Sequence, residues 1–405
     1  MDSILYILWG IGAIVVLMGL AYLLSLDRKS INKRTVFGAL AIQILIGAIF
    51  LGWDGGQWVL QQISGAVVEV LGAANEGIGF LFGDLAGVGD HVFFIDVLSV
   101  IIFFAALMGI LWYIGVMPFI VNTLGFAISK LLGTSRAESI AATANIFVGV
   151  TESPLSIKPY LAKMTRSELF TVMTVGLGTV AGSVLAGLIQ MGTDPGFLIV
   201  ASFMAAPAGL VMAKIVIPET EKTETSENIK LEKDTDVANV VDAAAKGTTD
   251  GLKLALNVGA MVLAFVSLVG LVNIGLGLFS DQLTLEIIMG YVFAPFAFLI
   301  GIPWEYAPLV GQMIGEKTIM NEFIAFASLN DAIATGTLTD PRMIAIATFA
   351  LCGFANIGTI AILIGGMGAL VPSRRADIAR YGPRALIAAI LGNLMNGAIA
   401  GMMFF

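Results

Sequence analysis

Glu152 and Glu322 each stand inside a long apolar stretch of a 405-residue chain. A deprotonated carboxylate accepts two or more hydrogen bonds and suits the paired hydroxyls of a sugar. Glu152 lies between Gly149 and Pro154, both poor helix residues. Glu322 follows Asn321 in the apolar run Gly315–Leu329. Farther on, Asn356 offers a donor and an acceptor, and Thr359 adds a hydroxyl. The bland alternatives are a helix cap or ion pair for each glutamate and a helix–helix hydrogen bond for Asn356. Other chemistry is poorly provided for. Cys352 is the single cysteine and His91 the single histidine, so an intrachain disulfide is excluded. A catalytic triad or metal cluster lacks its parts, and His-Glu-x-x-His is absent.

The chain is 58% hydrophobic and only 12% charged, with mean hydropathy +0.94. Soluble domains are about 25% charged, so the composition is that of a polytopic membrane protein. No separate cleavable signal is evident, and the first apolar stretch reads as a retained helix. An ionisable residue within a membrane segment is a functional-site hypothesis by default. The elements that must position these groups are unusual. Ala137–Val148 as a helix of about 12 residues rises only ~18 Å, and a hydrocarbon core is ~30 Å thick. Ala137–Lys163 therefore reads as a re-entrant hairpin with Val150-Thr151-Glu152-Ser153 at its tip. Such backbone is tolerated at depth only inside protein or beside a water-filled cavity. The helix after it, Ser167 to about Met191, is weakened by Gly176, Gly178, Gly182 and Gly187, with unwinding expected around Gly178-Thr179.

The second half echoes the first. Gly315–Leu329 is too short to span, Thr339-Asp-Pro-Arg342 starts a long helix as Thr165-Arg-Ser-Glu168 did, and Gly353 to Thr359 weakens its interior. The fold class expected is all-α and polytopic, with about eight transmembrane helices, interfacial helices and two re-entrant hairpins in an inverted repeat. The spans are Leu5–Leu26, Thr35–Trp53, Phe93–Tyr113, Ser167–Met191, Phe197–Ile217, Gly251–Phe279, the helix from Thr339 to about Ser373, and Ala385–Phe405. An external amphipathic helix is expected at Val59–Leu71 and an inner interfacial one at Met117–Leu132. The acidic run Glu219–Asp236, with seven acidic and three basic residues, reads as part of a solvated cytoplasmic linker. The expected organisation is scaffold helices over 1–116, a first repeat over 117–217, the linker over 218–250, and a second repeat with a final scaffold helix over 251–405. This topology puts both termini outside. It leaves all but Lys317 and Arg342 of the 21 Lys and Arg residues on or near the inner side, as the positive-inside rule asks. Glu305 and Glu316 then fall near the outer surface.

The long motifs carry a resemblance. Gly149-Val-Thr-Glu-Ser-Pro-Leu155, then PYLAKMTRSELF and TVAGSVLAG, resemble the concentrative nucleoside transporters. So do Asn321-Glu322-Phe323, the run Phe349 to Asn356 with its Cys-Gly-Phe-Ala-Asn, and Pro372-Ser-Arg-Arg375. The resemblance covers nearly the whole chain. It implies a bacterial inner-membrane importer that is a homotrimer with elevator-like motion. It needs no cofactor and binds no nucleic acid. Glu322, Asn356 and Thr359 match the ribose-binding positions. Thr151 and Glu152 match the base side, with Val184 and Phe354 as apolar base contacts. Asn145, Thr179 and the carbonyls of Val148 and Val180 match a sodium site, although proton coupling through a carboxylate remains open. Val150 departs from the family, which usually has glutamine before the Thr-Glu pair. That predicts altered base preference. An uncoupled facilitator, or a carrier of a free base or modified nucleoside, are the alternatives.

Overall fold

The computed structural model describes residues 3–86, 92–226, 229, 237–280 and 282–404. His91, half of the acidic run and Phe405 lie outside the described residues. Among those described, every regular element is helical. The first half holds α1 (Ser3–Leu23), α2 (Lys33–Gly52), α3 (Asp54–Phe82), α4 (Phe93–Tyr113), α5 (Val116–Leu132), α6 (Arg136–Ala144), α7 (Glu152–Ser156), α8 (Lys158–Leu161), α9 (Arg166–Gly178), α10 (Gly182–Gln190) and α11 (Pro195–Val216). The second holds α12 (Val240–Gly277), α13 (Leu285–Leu299), α14 (Ala307–Ile319), α15 (Glu322–Ala334), α16 (Pro341–Leu351), α17 (Ile357–Leu370) and α18 (Arg375–Met403). One order recurs from α4 and again from α12: a long helix, a short apolar helix, a helical hairpin, a broken helix and a long closing helix.

Eight described helical stretches are long and apolar enough to cross a membrane. They differ from the eight expected in two places. The helix after Asp340 is broken into α16 and α17, and neither piece is long enough alone. The expected short helix at Val59–Leu71 instead runs through all 29 residues of α3. Nothing after Asp54 stops it until Gly83, which takes a positive φ of 55°. The other boundaries moved for local reasons. The first arm of the first hairpin ends at Ala144, because the Asn145 side-chain amide turns back to the Ala141 carbonyl at 3.0 Å. Its second arm is split at Ile157, where the ring of Pro159 would clash with a continuous helix. The second hairpin begins earlier than expected, at Ala307, and turns at Met320-Asn321. Asp340, not Thr339, caps α16, whereas Thr165 and Glu168 form the expected capping box on α9.

The segment expected as a free linker over 218–250 is largely tied down where it is described. Val240–Asp250 are the first turns of α12. The Thr225 hydroxyl donates to Glu168, and its carbonyl accepts the Ala137 amide. Glu219 accepts the Thr165 hydroxyl at 2.7 Å. The strand of chain thus buttons the starts of α6 and α9 together. Beside it, Lys214 and Glu138 form a buried ion pair at 2.6 Å.

Two helices anchor the packing, α4, which also lies against α10, and α18. α4 and α12 lie against each other through small residues, as membrane helices do. A Cβ on Gly247 would come within 2.5 Å of the Ala105 carbonyl, and one on Gly109 within 2.8 Å of that of Ala243. Elsewhere α18 is central and touches α1, α9, α11, α16 and α17, while α2 lies along α11.

Candidate functional site

Both glutamates open a helix. Glu322 is the first residue of α15, whose positive end favours an anion there. Glu152 is the first residue of α7 and accepts the Gly149 amide across the hairpin tip. Asn321 caps α15 by accepting the Ile324 amide at 3.1 Å. Asn356 does the same at the start of α17, where its Oδ1 accepts both the amide and the hydroxyl of Thr359 at 2.9 Å. That leaves its Nδ2 free to reach Glu322 Oε2 at 3.5 Å. Glu322, Asn356 and Thr359 therefore form one buried polar cluster between the second hairpin and the second break. A carboxylate, an amide and a hydroxyl grouped this way can exchange their weak internal contacts for the hydroxyls of a sugar.

The first hairpin tip is wide, with no helix from Asn145 to Thr151. Its Phe147 carbonyl accepts the Gly182 amide at 3.0 Å, which joins the tip to the first helix break. Thr151 rests on Gly366 of α17. Glu152 is exposed at the tip, unlike Glu322. Val150 is buried, with its side chain against Gly176 of α9. Val184 is fully buried in α10, and Phe354 is half-buried. Phe354 also donates its amide to the Thr179 carbonyl at 3.1 Å, so the two breaks touch.

Asn145 is buried beside Gly176, and its Oδ1 has no hydrogen-bond partner. The Thr179 hydroxyl donates to the Val175 carbonyl at 2.9 Å and keeps its lone pairs for a further contact. The Asn145 amide oxygen and the Thr179 hydroxyl are oxygens of the kind a hard monovalent cation takes, and Val148 and Val180 lie close to them in sequence.

Three further polar residues at this centre were not picked out as site residues from sequence. Lys317 was expected outside but is buried, and its ammonium donates to the Ala350 carbonyl at 2.9 Å and to Asn393 Oδ1 at 2.7 Å. Asn393 in turn donates to the carbonyls of Gly178 at 2.7 Å and Cys352 at 3.0 Å. Glu316, also expected near the surface, is buried and accepts from Gln312 at 2.7 Å. The available signal was a lysine and a glutamate inside an apolar hairpin. Glu305 is exposed as expected.

Three family models cover most of the chain. Residues 12–85 match the N-terminal model of Na+ dependent nucleoside transporters, 94–195 a model described as nucleoside recognition, and 197–401 the C-terminal model of the same transporters. The transporter YutK of Bacillus subtilis is 50% identical over 98% of this chain and 99% of its own. The nucleoside permease NupC of Helicobacter pylori is 43% identical over 98% and 97%. The structure of CNTnw in an inward-facing, substrate-bound state superposes with a TM-score of 0.95 at 45% identity over 98% of both chains. An outward-facing double variant of CNTnw gives 0.95 at 44% identity over 99% of both.

Proposed function

The chain belongs to the concentrative nucleoside transporter family, whose members are permeases and not enzymes, and on that premise we propose a secondary-active, ion-coupled nucleoside importer. The observation that carries the reading is the buried cluster of Glu322, Asn356 and Thr359 at the meeting of a hairpin turn and a helix break. It receives the ribose. Thr151 and Glu152 take the base side, and Val184 and Phe354 give apolar contact once the site opens. Val150 stands near the base end and shapes selectivity through the seat it takes against Gly176.

Sodium is the favoured coupling ion. The unpartnered Oδ1 of Asn145 supports this, with the Thr179 hydroxyl and the carbonyls of Val148 and Val180 completing the shell. Proton coupling through a site carboxylate is the rival.

The two hairpins are re-entrant from opposite faces in an inverted repeat. Both termini lie outside the inner membrane, which keeps Lys158, Lys163 and Arg166 on the same inner side as Lys29 to Arg34. An α3 that crossed the membrane would reverse every later span and break that rule, so α3 lies along the outer surface. The α4–α12 pair is the natural framework, and the helices joined through α18 move against it as an elevator. The long, mostly exposed α12 supports a homotrimer with the framework at its centre.

Uptake of labelled uridine into liposomes tests the reading. One set carries an inward sodium gradient at equal pH, the other an inward proton gradient without sodium. Accumulation above equilibrium with sodium is expected. Accumulation with protons alone moves coupling to a carboxylate. Entry only to equilibrium makes the protein a facilitator. With no entry, competition among ribose, free bases and intact nucleosides identifies the solute.

A further inference from the structure

The two broken helices end against one another. α9 stops at Gly178 and α16 at Leu351, so both present unpaired carbonyls and the negative ends of their dipoles at one place. Asn393 of α18 spans the gap with both of its Nδ2 protons, one to Gly178 and one to Cys352. Behind it stands the ammonium of Lys317, in the last turn of α14, which donates to Asn393 Oδ1 and to the Ala350 carbonyl. Lys317 is only 2% exposed. Among the described residues no carboxylate lies within ion-pair distance of it. A buried ammonium without a counter-charge is costly. Here its hydrogen bonds end on neutral oxygens at the helix break, with the Glu322 carboxylate farther off than an ion pair, which is how a desolvated monovalent cation is held at broken membrane helices.

The repeat sharpens the comparison. Asn145 closes the first arm of the first hairpin and faces the break after α9, with an unpartnered oxygen. Lys317 closes the first arm of the second hairpin and faces the break after α16. One half offers an oxygen to an ion. The other half carries its own cation on a stem.

We propose that Lys317 is a tethered cation that permanently fills a monovalent-cation site in the second half, and that truncating its side chain opens this site to a free monovalent or small alkylammonium cation. The ammonium then holds both breaks together as one unit and travels with Glu322 through every step. The geometry at position 317 does not depend on which ion couples transport or on which solute is carried.

The test is Lys317→Ala in the full chain, purified in detergent. Alanine removes the atoms of an n-propylammonium ion. Thermal unfolding is followed in choline chloride, sodium chloride, potassium chloride and n-propylammonium chloride at equal ionic strength, with n-propanol as the neutral isostere. The variant is expected to melt well below the parent in choline and to recover with propylammonium or a small metal cation but not with propanol. The parent should gain nothing from propylammonium or potassium over choline, and its own gain in sodium, through the Asn145 site, is the baseline that the variant's sodium recovery must exceed. Uridine affinity should fall by roughly tenfold or more and return with the same cations. The melting readout stands even if uridine is not the solute. Recovery with propanol equal to that with propylammonium overturns the proposal, as does recovery with none of them. If Lys317→Ala does not fold, Lys317→Met and Lys317→Arg decide. Methionine melting like the parent, or arginine no better than methionine, overturns the idea. Arginine clearly better than methionine supports it.

Discussion

An alanine at position 353 has no room. Its Cβ would stand 2.4 Å from Asn393 Oδ1, 2.8 Å from Asn393 Nδ2 and 2.7 Å from the Gly178 carbonyl. Gly353 is not among the positive-φ glycines, so space and not backbone conformation requires it. Asn393 must leave its seat, and the carbonyls of Gly178 and Cys352 then lose their donor. A buried acceptor left unsatisfied costs about 1–3 kcal/mol, so two cost about 2–6 kcal/mol. The entropy removed from the unfolded chain by Gly→Ala offsets only about 0.4–1 kcal/mol. Net destabilisation of several kcal/mol is expected for Gly353→Ala in detergent unfolding, with loss of uridine binding. Gly365→Ala is the control. It also lies in the second broken helix, but no atom approaches within 4 Å of its Cβ. Its helix propensity alone predicts a gain of about 0.8–1.0 kcal/mol. The double variant Gly353→Ala with Asn393→Ala should cost clearly less than the sum of the two, because the first change already expels the amide. Gly353→Ala within about 0.5 kcal/mol of the parent, or full additivity at that same resolution, would refute the reasoning.

Three further outcomes test the site. Glu322→Gln keeps the shape but removes the charge that strengthens hydrogen bonds to hydroxyls. Uridine affinity should drop about 10- to 100-fold, and discrimination against 2′- and 3′-deoxynucleosides should shrink; unchanged discrimination in binding assays contradicts a sugar role. Asn145→Ala should raise the sodium concentration for half-maximal uptake by about tenfold or more, with uptake at saturating sodium much less affected. An unaltered sodium dependence removes Asn145 from the ion site. Val150→Gln places a longer amide into the seat beside Gly176 or out toward the base, and either alters selectivity among uridine, cytidine, adenosine and inosine. The same order of preference in both proteins would discard the role given to Val150.

Much of this centre was legible because its rules are local. Glycine and proline around Glu152 mark where a helix cannot continue, and the break at Gly178-Thr179 follows from the same reasoning. Asn356 was marked by its donor and acceptor and by the resemblance, whereas the caps that Asn321 and Asn356 place on α15 and α17 emerge only from the structure. What was hidden depends on partners far along the chain. Thr225 sits in an acidic run that reads as solvated linker, and nothing near it in sequence announces Glu168 or Ala137 as its partners. Gly353 reads as a residue that weakens a helix, when its lack of a side chain is what seats Asn393. Val150 lies where a base contact was expected, but its direction is set by the empty face of Gly176.

Lys317 shows why counting charges by side of the membrane fails here. The positive-inside rule assigns each cation to a compartment, and an apolar hairpin entered from outside leaves Lys317 there as an exception. Its sequence neighbours suggest Glu316 or Glu322 as partners. A helix denies the first, because adjacent residues do not face each other. The turn at Met320-Asn321 separates Lys317 in α14 from Glu322 in α15, and no ion pair joins them. With no carboxylate within ion-pair distance, the ammonium ends on the Asn393 side-chain oxygen and on the Ala350 carbonyl, and a helical chain frees backbone carbonyls chiefly where a helix ends. A buried lysine in an apolar hairpin therefore implies a broken helix beside it. Gly353 to Thr359 was already marked as a weakened stretch of helix, so the pairing of Lys317 with the end of α16 follows once these two local facts are required to satisfy each other.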